Sequence, residues 1–237
     1  MTVDPAAVAD RLARLRARIA AAESAAGRPP GSVRLLLATK TQDAETIRAA
    51  VVADAGAPHP VLVGENRVQE LVAKGPQLRD LGVTTHLIGP LQSNKVNAAL
   101  RWASCIESVA SLDLAQRLAA RASGVEVYVQ VNVSGEPTKH GVAPGDAVEL
   151  ARAIGALDGL RLGGWMTVGA NSPDASVVSA GYALLRSLRD EVVASGAPGT
   201  ADARELSMGM SGDLELAVAE GATLVRVGSA LFGARPA

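Results

Sequence analysis

A chain of 237 residues that is 48% hydrophobic can bury one sizeable core, and with 2% aromatic residues that core must be aliphatic. The formal net charge of −1, without any basic run, excludes nucleic-acid binding by phosphate neutralisation. A lone cysteine, Cys105, excludes an internal disulfide, and no apolar run nears the roughly 18 residues that cross a bilayer.

Residues 5–27 read as an amphipathic helix, with Val8, Leu12, Leu15 and Ile19 on one stripe, ended by "GRPPG" at 27–31. An amphipathic start is not a secretory signal, so the cytoplasm is the expected compartment. Strand-like runs then follow: "RLLLAT" (34–39), "PVLVG" (60–64), "THLIG" (85–89), "SCIESV" (104–109), "VEVYVQVNV" (125–133), "LRLGGWMTV" (160–168), "ELSMGM" (205–210) and "TLVRVG" (223–228). Helix-like runs separate them at 43–54, 66–74, 94–101, 111–122, 145–156, 175–195 and 212–220, and a last turn fits 229–234.

Strands alternating with helices predict a parallel sheet with helical crossovers, and eight repeats in this length predict a closed barrel. The expected architecture is α/β: a single (β/α)8 TIM barrel over 1–237 with an extra N-terminal helix. An open doubly wound sheet would carry a glycine-rich turn after its first strand, and "ATKTQDAET" has no glycine.

Side chains of a barrel strand alternate between the interior and the helix layer. Val127, Val129, Val131 and Val133 share one parity and are expected to face the helices, which leaves Tyr128, Gln130 and Asn132 pointing inward. Leu36, Ala38 and Lys40 share a face, so Lys40 is expected at the inner C-terminal end of the first strand. Arg226 is expected to point inward from the last strand. Barrel active sites lie at this C-terminal face.

Lysine is among the residues least often fully buried, so Lys40 is either a wet strand end or a chemical group. An amine at a barrel mouth can condense with an aldehyde or ketone, and partial desolvation or a nearby cation favours the neutral form this needs. Ser211, in "LSMGMSGDLELAVAEG" (206–221), reads both as a helix N-cap and as a phosphate ligand. Gly228 and Ser229 open another turn after the last strand, and the loops after strands seven and eight form the recurrent phosphate site of barrels. Lysine, phosphate cradle and inward arginine together resemble a pyridoxal phosphate pocket. There an arginine at the ring nitrogen disfavours its protonation and weakens the ring as an electron sink.

The stretches "LLATKT", "GENRVQE" (64–70), "HLIGPLQSNK" (86–95), "QVNVSGEPTKHG" (130–141), "LSMGMSGD" (206–213) and "VRVGSALFGAR" (225–235) resemble, in order, the pyridoxal phosphate homeostasis protein family. That resemblance implies the N-terminal barrel of alanine racemase standing alone. It implies that Lys40 holds pyridoxal 5'-phosphate as an internal aldimine, that Arg226 faces the ring nitrogen, and that Ser211, Gly228 and Ser229 bind the phosphate. It also places Asn66 in the pocket. It assigns no catalytic residue and no metal. Two departures stand out: Thr85 where the family usually has tryptophan, and "GWM" at Gly164–Met166 in place of "GLM".

Other residues have plainer readings. Asn66 begins "NRVQ", a capping pair with Gln69. His86 reads as a satisfied core histidine, Cys105 as a small core residue, Lys95 as a solvated helix residue, and Lys139 and His140 as surface loop. Tyr128 is centred in its strand and Tyr182 falls on a predicted surface helix, so neither supplies the second base that racemisation requires. The expected function is therefore intracellular homeostasis and delivery of pyridoxal phosphate, without substantial racemase activity. The expected partners are the cofactor and apo-enzymes that use it, with no nucleic acid or membrane, and the expected state is a monomer. A pyridoxal phosphate-dependent racemase, a Schiff-base aldolase and a cofactor-independent interaction protein are the alternatives.

Overall fold

The computed structural model describes residues 4–233. The ends of the last predicted turn and of the stretch containing Arg235 lie outside the described residues. In chain order the elements are α1 (Pro5–Ala25), β1 (Arg34–Ala38), α2 (Ala44–Ala53), β2 (Leu62–Glu65), α3 (Val68–Leu78), β3 (Thr85–Leu87), α4 (Val96–Leu100), β4 (Cys105–Val109), α5 (Leu112–Ala119), β5 (Val125–Gln130), α6 (Pro144–Gly155), β6 (Leu160–Met166), α7 (Ala175–Ala194), β7 (Glu205–Ser207), α8 (Leu214–Ala219), β8 (Leu224–Val227) and α9 (Ser229–Phe232). Each strand pairs in parallel with its sequence neighbours, and β8 closes on β1 with Leu36 level with Arg226. The ring is the closed (β/α)8 barrel that the alternation predicts, and α1 is the extra helix.

Strand parity sorts the side chains as expected. Val127, Val129 and Val131 pack into the large core beneath the helices, while Tyr128 joins Leu36, Leu62, Cys105, Met166 and Leu224 inside the barrel. Burial pushes the Cys105 thiol up and keeps it neutral, which suits a small core residue. Several predicted strands end two or three residues early. β5 stops at Gln130, and the Asn132 backbone N–H donates to the Val142 carbonyl at 2.9 Å in the loop that follows. β6 stops at Met166. β7 stops at Ser207 because Gly209 takes a φ of 89°, where a side chain would be strained and would run into Ala217.

Helix α1 buries the predicted stripe of Val8, Leu12, Leu15 and Ile19 and packs against α2, α8 and α9. Asp4 caps its start by accepting from the Ala6 N–H at 3.0 Å. It covers the side of the barrel where β8 meets β1, and two of its arginines reach toward the loops at the mouth. Arg18 donates to the Ser211 carbonyl at 2.8 Å and Arg11 to the Leu231 carbonyl at 3.2 Å.

Tyr182 departs from expectation. It lies on α7 but is fully buried, and its hydroxyl donates to Asp213 at 2.7 Å. The helix is long enough that one face packs on the barrel, and Gly169 leaves room for the ring where a Cβ would collide with the hydroxyl. Trp165 also settles away from the barrel interior. It alternates with the inward Gly164 and Met166, packs in the helix layer and donates its indole N–H to the Ala203 carbonyl at 3.2 Å. The tryptophan of "GWM" therefore lies outside the barrel interior.

Trp165→Ala is expected to cost about 3–5 kcal/mol in urea unfolding, because it empties a fully buried site. A loss under about 1 kcal/mol would show that the helix layer closes over the gap.

Candidate functional site

The C-terminal ends of the strands open into a cavity of about 480 Å³ lined by Lys40, Asn66, Ser211, Arg226, Gly228 and Ser229, together with Ile88 and Met166. All six residues singled out in the sequence therefore meet in one place. The volume falls within the range of roughly 300–1,000 Å³ typical of small-ligand pockets. No histidine, carboxylate, tyrosine or cysteine lines this cavity among the described residues. Among them, no group of three or more potential metal ligands occurs anywhere.

Lys40 lies just beyond β1, half-buried, in the turn that leads to α2. The next residue, Thr41, has a φ of 66°. For a β-branched residue this left-handed conformation is an outlier, and such strain costs on the order of 1–3 kcal/mol. Surrounding contacts hold it: the Thr41 N–H donates to Glu70 at 2.9 Å, and its hydroxyl donates to the Lys40 carbonyl at 2.6 Å.

Arg226 is 5% exposed and held on several sides. One terminal nitrogen donates to the Ser207 carbonyl at 2.6 Å and the Ser207 hydroxyl at 2.8 Å, and the other to the Thr167 carbonyl at 2.6 Å. The Ser207 hydroxyl donates in turn to Glu107 at 2.5 Å, whose other oxygen meets His86 Nδ1 at 2.6 Å. A hydrogen-bonded chain thus crosses the barrel interior from β3 through β4 and β7 to β8. Burial acts to raise the Glu107 carboxyl. The His86 hydrogen bond, the nearby Arg226 and the Ser207 hydroxyl outweigh it and hold the group below its ordinary value. His86 is the satisfied core histidine expected of it, and its ring also meets Tyr128 edge-on at 6.2 Å.

Two capping expectations are overturned. Ser211 does not cap α8; the cap position is Asp213, and the Ser211 hydroxyl accepts from the Ala230 N–H at 3.3 Å. It thereby ties the loop after β7 to the turn after β8. Asn66 does not cap α3, which starts after Arg67 without a side-chain cap. The Asn66 Oδ1 is instead buried without a hydrogen-bond partner. Buried polar atoms are seldom left so, and this one belongs to a residue that lines the cavity. Gly89 makes this placement possible, since a Cβ there would strike the Asn66 carbonyl.

Lys139 is not plain surface loop. Its ammonium donates to Glu136 and to the Gly169 carbonyl, both at 2.7 Å, and so staples two mouth loops together. Gln130 and Asn132 secure the same loop through the carbonyls of His140 and Lys139 at 3.1 and 3.3 Å. Lys95 ends a 3-10 turn at Ser93–Lys95 and is half-buried rather than fully solvated. Tyr128 has its hydroxyl buried without a partner, and burial pushes it well above the ordinary range. Burial and the Asp213 carboxylate push the Tyr182 hydroxyl up likewise.

Known proteins resemble the chain over nearly its whole length. Residues 9–236 match the family model "Alanine racemase, N-terminal domain". The chain is 41% identical over 232 residues to the pyridoxal phosphate homeostasis protein of Pseudomonas aeruginosa, covering 96% of each chain. It is similar to the structure of an unknown protein from Bifidobacterium adolescentis, with a TM-score of 0.90 and 45% identity over 98% of both chains. It is also similar to PipY of Synechococcus elongatus with PLP bound, with a TM-score of 0.80 and 37% identity over 95% of this chain and 100% of that one.

Free in an unfolded chain, a glutamate titrates near ~4.3. The folded value of Glu107 lies lower, so its charge stabilises the fold above the unfolded value, and that contribution is lost as pH falls through the folded one. Glu107→Gln is expected to cost about 3–5 kcal/mol at neutral pH and to flatten the acid limb of a melting-temperature profile. A variant within about 1 kcal/mol of the parent, with an unchanged acid limb, would contradict a structural charge at Glu107.

Proposed function

The chain belongs to the alanine racemase N-terminal domain family and, within it, to the pyridoxal phosphate homeostasis proteins, and from that premise we propose that it binds pyridoxal 5'-phosphate at the barrel mouth and serves to hold and hand on that cofactor. The observation that carries this reading is the convergence of Lys40 and Arg226 with Ser211, Gly228 and Ser229 on one cavity.

The residues present fit the group. Lys40 would anchor it covalently, Ser211, Ser229 and the backbone at Gly228 would hold its phosphate, and Arg226 would meet the ring nitrogen. The unpartnered Asn66 Oδ1 offers an acceptor at the cavity wall. When bound, the cofactor supplies an aldehyde carbon that a neutral primary amine attacks with loss of one water, so no oxidant or reductant is needed. Arg226 does the electronic work of this chain. Its guanidinium, fixed by Ser207 and Thr167, would disfavour a proton on the ring nitrogen.

Carriage suits the cavity better than catalysis. Racemisation needs a proton-transfer group on each face of the substrate carbon. Lys40 is the only group of that kind lining the cavity among the described residues. The two tyrosines are occupied elsewhere: Tyr128 is sealed inside the barrel and Tyr182 is bonded to Asp213. A pocket with an anchor and no second base retains the aldehyde without turning over an amino acid, which keeps its free concentration low and leaves it available to apo-enzymes.

Titration of the purified protein with pyridoxal phosphate is expected to produce a visible absorbance band. Lys40→Ala should lose that band entirely while staying within about 1 kcal/mol of the parent in stability, as a residue beyond the strand end contributes little to the core. A variant that keeps the band would move the anchor elsewhere. Arg226→Gln removes the fixed positive charge and is expected to shift the band. An indifferent spectrum would place Arg226 away from the ring.

A further inference from the structure

Lys40 sits between two residues that a single ion cluster grips. On its N-terminal side, the Thr39 hydroxyl donates to Glu65 at 2.6 Å and the Thr39 carbonyl accepts from Lys74 at 2.9 Å. On its C-terminal side, the Thr41 N–H donates to Glu70 at 2.9 Å. Lys74 joins the two carboxylates, donating to Glu65 at 2.8 Å and to Glu70 at 2.9 Å. An ammonium has three protons, and these three bonds account for all of them. Lys74 is thus fully committed to structure, although its ammonium bonds the carbonyl of the residue next to the cavity lysine.

None of these three residues lines the cavity that holds Lys40; Glu65 and Lys74 instead face a separate space of about 170 Å³ on the outer side of the barrel. Glu65 is 1% exposed, and the side chains of Lys74 and Glu70 are 11% and 24% exposed. In such surroundings the pairing is screened little by solvent. Burial pushes the Glu65 carboxyl up against the hydrogen bonds from Lys74 and Thr39. Burial also acts on Glu70, but the bonds from Lys74 and the Thr41 N–H hold its carboxyl below its ordinary value. The cluster meets the backbone at the Thr39 carbonyl and at the left-handed Thr41, and a strained residue persists only where its surroundings over-determine it.

We propose that Glu65, Lys74 and Glu70 are positioning residues for Lys40: they clamp the turn 39–41 in its strained shape from the outer side of the barrel, and so set the rate at which Lys40 captures the cofactor. The proposal rests on the reading of Lys40 as the anchor. The clamp acts through geometry, since none of the three reaches the cavity. Reactive groups held in place by surrounding bonds lose much of their rate when those bonds go.

Glu70→Gln is the cleanest test, because Glu70 is the most exposed of the three and its amide keeps the size of the carboxylate. Two measurements are made. The first is stopped-flow absorbance on mixing the apo-protein with pyridoxal phosphate. The second is amide hydrogen exchange of the peptide containing Thr41 in the apo-protein. The capture rate is expected to fall by roughly 10- to 100-fold, with the final spectrum unchanged and exchange at Thr41 accelerated. Lys74→Arg, which keeps the charge, is expected to lie between the parent and Lys74→Met. Parent-like capture and parent-like exchange in Glu70→Gln would overturn the clamp. A parent protein that forms no band at all would overturn the anchor reading instead, and the exchange measurement would still decide whether the cluster holds the turn.

Discussion

Closure of the ring between β8 and β1 decides what the mouth of this barrel can do. The two strands pair with Leu36 level with Arg226, so the inward face of the first strand and the inward face of the last are the same wall. Leu36 and Lys40 share that parity, and the lysine emerges just beyond the strand end where Arg226 also points. Gly228 comes so close to β1 that a Cβ there would lie 3.0 Å from the Ala38 carbonyl, and it and Ser229 then turn the chain across the opening. A slip of one residue in this pairing would send Lys40 and Arg226 to opposite sides of the sheet. Helix α1 protects the pairing from outside, with its aliphatic stripe on α2, α8 and α9 and its arginines on the loop carbonyls.

Around that seam the protein uses buried charge in two separate ways. Inside the barrel, Glu107 links His86 and Ser207 and thereby fixes the guanidinium of Arg226. Outside it, Glu65, Lys74 and Glu70 grip the turn that carries Lys40. Breaking one partner of a buried pair leaves an uncompensated charge, which is more costly than the pair is favourable. Both networks end on a residue of the cavity or its immediate neighbour.

The sequence makes the barrel, Lys40 and Arg226 legible because they rest on local information, whereas the family resemblance is what places Asn66 in the pocket. Alternating strands and helices need only short-range periodicity, and parity alone turns Lys40 and Arg226 inward. The supports are another matter. Glu107 and Ser207 are 100 residues apart, and nothing in either neighbourhood announces the other. A glutamate in the middle of "SCIESV", at the parity of an inward residue, was the available signal for Glu107. Lys74 and Glu70 follow helical spacing, but the other partner of Lys74, Glu65, lies on a strand and faces outward beneath α3. The capping patterns at Asn66 and Ser211 misled for a related reason. Each helix starts one or two residues later than its motif suggests, and the freed side chains turn to the cavity wall and to Ala230. Tyr182 was hidden because a long helix has a packed face that residue type alone does not locate.

The proposed function turns on which of the four lysines captures the cofactor. The most direct measurement is to load the protein with pyridoxal phosphate, reduce it with sodium borohydride, digest it, and locate the added mass by peptide sequencing. Stoichiometric label on Lys40 alone is the predicted result. Label on Lys74, Lys95 or Lys139 in its place, or on no lysine, would contradict it.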